Sequence, residues 1–304
     1  MNHTQNQGVP SQDPASNKSL PKNRDRAGVL LVHGLGGTEY DLGRLRASLE
    51  ESGVDAYVVA LPGHGTRPED LVGVRAEDWI DAVTVEYLRL SAQYDTLHVV
   101  GMCLGALLAL EVCKRTGHSK GKLVALAAPL SLDGWGTPWY RAIRHVLYRI
   151  PAIARSWRVH EQEPYGIKNE RIRRLVRGML SRGDAFHYPW VPLYSVREAD
   201  RLRSMVWRKL ERLRCPLMIM HATEDELTSP ESARALHRRI EGSTLHLLDN
   251  SYHMICVDNE RGHVMHSVTN FLSDRAYKPI REAAHMNDEG PTLSRLRRPH
   301  FMPT

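Results

Sequence analysis

The sequence predicts an α/β fold: a mostly parallel central sheet with helices on both faces and a helical cap inserted into it. Three observations predict it. Apolar strand-like runs alternate with amphipathic helix-like runs over most of the 304 residues, the pattern of parallel strands covered on both sides. The alternation breaks once, between about Leu130 and Met205, and then resumes. Glycines two positions before and after Cys103 mark a very tight strand-to-helix turn.

Residues 1–26 are polar, rich in Asn, Gln, Ser and Pro, and have no apolar periodicity, so they are expected to be a disordered tail. The first strand is Gly28 to Val32, followed by a helix over Asp41 to Glu51 and a strand over Ala56 to Ala60. A helix over Glu77 to Ala92 leads to the strand Thr96 to Val100, the turn Gly101-Met102-Cys103-Leu104-Gly105, the helix Ala106 to Lys114 and a strand over Lys122 to Ala127. From Leu130 to Met205 no strand is evident; the segment is helix-prone, Arg-rich and dotted with aromatic residues. Strand and helix order returns with Pro216 to Met220, Pro230 to Ile240, Thr244 to Leu248 and Asn259 to Leu272. Residues 27–130 and 206–274 therefore form one core and 131–205 an inserted cap. Residues 275–304 form a basic tail, again expected to be disordered.

Charge and cysteine usage narrow the function classes. The net charge is +6, but residues 141 to 214 alone carry eighteen basic and seven acidic side chains, so the rest of the body is net acidic. Much of that basic charge has the spacing of solvated helix faces, as in Arg171, Arg173, Arg174 and Arg177. The same surface suits an acidic partner, an acyl carrier protein or coenzyme A. No nucleic-acid-binding motif accompanies it. There is no membrane-length apolar run and no hydrophobic leader segment, which predicts a soluble, cytoplasmic protein. The four cysteines lack metal-site spacing and read as free thiols. No motif calls for a metal or cofactor, and nothing in the sequence bears on oligomeric state.

The tight turn lifts Cys103 out of the sheet as a candidate nucleophile. Such a thiol needs a base to take its proton and donors to stabilise the oxyanion formed on attack. After the first strand lies His33-Gly34-Leu35-Gly36-Gly37, which lacks the dinucleotide fingerprint and the Lys-Ser/Thr of a P-loop. Its Leu35 N–H, with that of Leu104 at a helix start, would make a two-donor oxyanion hole. Among sixteen histidines, His253 stands just beyond the last strand, where strand ends deliver side chains to one edge. Its acidic partner is expected from the loop after the preceding strand: Asp225, with the adjacent Glu224 as rival. Gly34, Met102, Trp135, Trp139 and Trp190 are candidate substrate contacts around an apolar pocket.

These residues carry a resemblance. Val32 through Gly37, the turn Leu61-Pro62-Gly63-His64-Gly65-Thr66, the Cys103 turn, the Asp225 loop through Ser229-Pro230, and Ser251-Tyr252-His253 resemble, in this order, the bacterial carboxylesterases and monoacylglycerol lipases of the α/β-hydrolase superfamily. The resemblance covers about residues 27 to 274. It implies an α/β-hydrolase fold, a triad of Cys103, Asp225 and His253, an oxyanion hole from Leu35 and Leu104, and a cap over an acyl-binding cleft. The departure is Cys103, since the family position is usually serine; a cysteine there looks like dienelactone hydrolases and polyhydroxyalkanoate synthases. A sulfur nucleophile gives a thioester intermediate, comparable in energy to acyl-coenzyme A, which water or another acceptor can resolve. The expected activity is cleavage of an ester or thioester of an apolar acyl group. The alternatives are transfer of an acyl group from a carrier or coenzyme A thioester, and a non-catalytic lipid-binding protein.

Overall fold

The structure, a computed structural model, describes residues 26–137, 142–184 and 186–273. Both expected tails, apart from Arg26, lie outside these residues, as does Trp139. Six strands, β1 (Gly28–Val32), β2 (Asp55–Val58), β3 (Leu97–Met102), β4 (Leu123–Leu126), β7 (Leu217–Ala222) and β8 (Thr244–Leu248), form one sheet in the order β2-β1-β3-β4-β7-β8. Every pairing is parallel. The residues of β1, β3, β4 and β7 are buried throughout, because parallel strands face helices on both sides and so read as continuous apolar runs.

Two layers cover the sheet. On one face, α2 (Ala76–Gln93), α3 (Leu104–Thr116), α7 (Leu193–Trp207) and α8 (Glu231–Arg239) supply Trp79, Ile80, Leu107, Leu110, Leu202, Val206 and Leu236 to the larger core. On the other, α1 (Leu45–Glu51) and α9 (Arg261–Ser273) bury Leu45, Leu49, Val264, Val268 and Leu272. Helix α3 is buried over its first ten residues, held between the sheet, α2 and α7. Its one acid there, Glu111, is paired by Lys114 at 2.5 Å and Arg115 at 2.7 Å. Among the described residues no helix is long and apolar enough to cross a membrane.

The segment between β4 and β7 holds the departures from sequence. These two strands are direct neighbours, so the segment leaves and re-enters at one point of the sheet. It contains α4 (Arg144–Leu147), α5 (Pro151–Ser156), α6 (Glu170–Arg182) and two strands, β5 (Arg158–His160) and β6 (Trp190–Pro192), paired antiparallel. No strand is legible there because each is three residues long, one is fully exposed, and the other ends in proline. Helix α7 crosses the expected boundary at residue 205 and packs on α3 and α2. The helix expected from Asp41 starts instead as a 3-10 turn, Glu39–Leu42, whose N-cap is Thr38, and becomes α-helical only at Leu45.

Two core histidines make stability pH-dependent. His98 Nδ1 accepts from Lys122 N at 3.0 Å, and His118 Nδ1 meets the Tyr87 hydroxyl at 2.9 Å. Burial, helped at His98 by the nearby Lys122 charge, lowers each imidazole from 6.5 to about 4. The unfolded chain therefore binds protons between pH 6.5 and 4 that the folded chain does not. The stability contributed is full above pH 6.5 and disappears as pH falls to 4, by roughly 3 kcal/mol for each group. Urea midpoints measured from pH 7.5 down to 4 are expected to drop through this window, and a flat profile would contradict the assignment.

Candidate active site

The turn at Cys103 is built by exclusion. A Cβ placed on Gly101 would lie 2.1 Å from the carbonyl oxygen of Gly105, and one on Gly105 would lie 2.1 Å from that of Val32. Only hydrogen fits at both positions, so strand β3 can pass into α3 within a single residue. That residue, Cys103, takes φ 54° and ψ −122°, a conformation costing a non-glycine residue about 1–3 kcal/mol. Its N–H donates to Leu126 O at 3.0 Å and its carbonyl accepts from Ala106 N at 3.0 Å. Cys103 is half-buried, whereas Cys113, Cys215 and Cys256 are buried.

The loops after β7 and β8 bring Asp225 and His253 together. His253 Nδ1 lies 2.7 Å from Asp225 Oδ2, and both side chains are buried. The other carboxylate oxygen, Oδ1, accepts from the N–H groups of Leu227 at 2.9 Å and Thr228 at 3.0 Å, which fixes the carboxylate plane. Burial raises the Asp225 pKa, but His253 and these donors outweigh it, so the carboxyl is held below its usual range. For His253 burial favours the neutral ring, yet the charges of Asp225 and Cys103 prevail and raise it well above 6.5. Cys103 is thus near enough to favour the imidazolium, and Nε2 is buried with no other hydrogen-bond partner among the described residues. Glu224 turns outward to Lys168 at 2.8 Å, so of the two adjacent acids Asp225 is the one that meets His253. Glu226, which the sequence did not single out, accepts from His253 N at 3.2 Å, and burial raises its carboxyl.

Gly34 lies against the thiol: a Cβ there would sit 3.3 Å from Cys103 Cβ and 3.8 Å from Sγ. This brings the loop carrying Leu35 N–H beside Cys103. Leu104 opens α3, so its N–H has no partner within the helix. The loop is braced from the inserted segment, since Tyr188 N donates to Gly36 O at 2.7 Å and Thr38 Oγ1 donates to Phe186 O at 2.7 Å. Beneath it, His187 bridges Asp41 at 3.3 Å and Glu161 at 3.6 Å. Burial alone would lower His187; the two carboxylates overcome that and hold it well above 6.5. No sequence signal marks this bridge, whose members are up to 146 residues apart.

The expected substrate contacts scatter. Met102 is fully buried and packs in the core on the α1–α9 side of the sheet. Trp135 is 60% exposed, with its indole N–H donating to Glu224 O at 2.9 Å and its ring 5.4 Å from that of Tyr252. Trp190, under the Arg158 guanidinium at 4.3 Å, lines a cavity of about 250 Å³ with Thr66, His187 and Tyr188; Cys103 is not among its lining residues. A thiol on a strained turn, an imidazole backed by an ionised carboxylate, and two N–H donors nearby are together equipped for nucleophilic acyl transfer.

Comparison with known proteins agrees in kind. The model of the Alpha/beta hydrolase family matches residues 29–263. The thermostable monoacylglycerol lipase of Bacillus sp. (strain H-257) is 25% identical over 258 residues, covering 82% of this chain and 91% of that one. The carboxylesterase of Bacillus subtilis (strain 168) is 27% identical over 256 residues, covering 83% and 94%. Among solved structures, the monoacylglycerol lipase of Paleococcus ferrophilus superposes with a TM-score of 0.68 at 21% identity, covering 83% of this chain and 96% of that one, a likeness of fold.

Proposed function

Since the chain belongs to the Alpha/beta hydrolase family and is an ester-cleaving hydrolase homologous to lipases and esterases, we propose that it works through Cys103, His253 and Asp225 by a covalent acyl-thioenzyme. The observation that carries this reading is the buried His253–Asp225 contact at 2.7 Å, which leaves Nε2 unpaired beside a cysteine on a strained turn. The thiol proton passes to His253 Nε2 as sulfur attacks the ester carbonyl, and the N–H groups of Leu35 and Leu104 receive the oxyanion. The C–O bond then breaks and the alcohol leaves with that proton. Water, deprotonated by His253, attacks the thioester; the C–S bond breaks and the proton returns to sulfur. Asp225 holds Nδ1–H toward itself and stabilises the imidazolium between these steps.

The test is intact-mass analysis after brief mixing with esters of graded acyl length. A mass gain equal to the acyl group, mapped to Cys103 and absent from Cys103→Ala, is expected; an adduct persisting on another residue would end the assignment. A second reading, transfer of an acyl group from a carrier-bound thioester, is favoured by α6. That helix buries no residue and exposes Arg171, Arg174, Arg177 and Arg182. Release of free acid as the sole product when an acyl-carrier thioester and candidate acceptors are both present would discard it.

A further inference from the structure

Helix α7 places Arg203 with only 12% of its side chain exposed. Its Nε donates to Pro129 O at 2.6 Å and its Nη1 bonds Asp200. Among the described residues its second terminal nitrogen, Nη2, has no hydrogen-bond partner. Asp200 is not Arg203's alone, since it also accepts from Arg144 Nε at 3.0 Å and the Tyr148 hydroxyl at 2.8 Å. One carboxylate thus faces two guanidinium groups.

The position of Arg203 matters as much as its charge. Leu126 O, at the end of β4, holds the N–H of Cys103 at 3.0 Å. Pro129 lies three residues further on, and three residues span at most about 10 Å even when extended. The guanidinium therefore stands over the same end of the sheet as the thiol, close enough for the charge of Cys103 to act on it. Asp200 meets one edge of this guanidinium and leaves Nη2 for a second acceptor, and a cation only 12% exposed is a better neighbour for an anionic group than for a purely apolar ester. Its planar fork suits a carboxylate.

We propose that Arg203 forms a carboxylate-binding subsite beside Cys103, so that the preferred esters are acidic ones carrying a carboxylate a few atoms from the scissile carbonyl. This deepens the reading of Cys103 as nucleophile and rests on it for the word ester, while the subsite itself can be measured without turnover. Iodoacetate and iodoacetamide alkylate a thiol by the same displacement of iodide and differ in charge. The remaining cysteines are buried, so the rate reports Cys103. The ratio of iodoacetate to iodoacetamide rates is expected to fall at least tenfold in Arg203→Met and to recover in part in Arg203→Lys. An unchanged ratio in Arg203→Met overturns the subsite. Should that variant not fold, the wild-type protein decides: adipate is expected to protect Cys103 from iodoacetamide at least tenfold more strongly than adipamide, and equal protection overturns the proposal. A charge-dependent ratio in a protein that no ester acylates would refute the esterase reading and leave the anion subsite standing.

Discussion

Replacing Asp225 by Asn lowers kcat about 10⁴-fold, the scale associated with a catalytic imidazole locked in the wrong tautomer. The geometry makes the substitution selective. Asp225 Oδ1 serves the N–H groups of Leu227 and Thr228, and only Oδ2 faces His253 Nδ1. An asparagine keeps its oxygen on the two backbone donors and turns its NH₂ toward the ring. Nδ1 must then accept, the ring proton moves to Nε2, and the imidazole can no longer take a proton from the thiol. The stabilised imidazolium is lost as well. Initial rates on a water-soluble ester, beside urea denaturation, check this: a kcat within tenfold of wild type in a variant of unchanged stability would remove Asp225 from the mechanism.

Gly105→Ala is expected to prevent stable folding, with a loss of about 4 kcal/mol or more. The added Cβ would lie 2.1 Å from Val32 O and 2.6 Å from His33 O, both backbone atoms at the end of β1. Neither can swing away as a side chain does. Relief requires α3 to lift from the sheet, and α3 is buried over its first ten residues. Gly262 in α9 supplies the control, because a Cβ there meets nothing within 4 Å; its Ala variant is expected to stay within about 1 kcal/mol of wild type. Thermal unfolding of the pair decides the point, and a Gly105→Ala protein melting with the wild type would contradict the contact.

What was legible in the sequence is what depends on local pattern. Buried parallel strands read as apolar runs, and the Gly101–Gly105 spacing announced the turn because the clash it avoids lies at the turn itself. The meeting of Asp225 and His253 could be anticipated because the C-terminal ends of β7 and β8 lie side by side at one edge of the sheet. Glu224 and Asp225 could not be separated from sequence, since choosing between adjacent residues needs the rotation of the loop. The Asp41–His187–Glu161 bridge and the placement of Arg203 against Pro129, at the same end of the sheet as Cys103, were out of reach. Each depends on how the inserted segment folds back on the core, and no period or spacing in the chain records that. Met102 shows the converse: its neighbour Cys103 is displayed at the site, while alternation along β3 sends Met102 itself into the core.

The stitching of Gly36 to Tyr188 and of Thr38 to Phe186 has a consequence for how such a protein can change. An insertion that merely roofed the cleft could be exchanged for another to alter substrate choice, leaving the chemistry intact. Here the inserted segment also buttresses the glycine loop beside the sulfur, so under the proposed mechanism specificity and rate are not separately evolvable: a graft that omits residues 186–188 would keep the proposed nucleophile and lose the support of the loop proposed to receive the charge it creates.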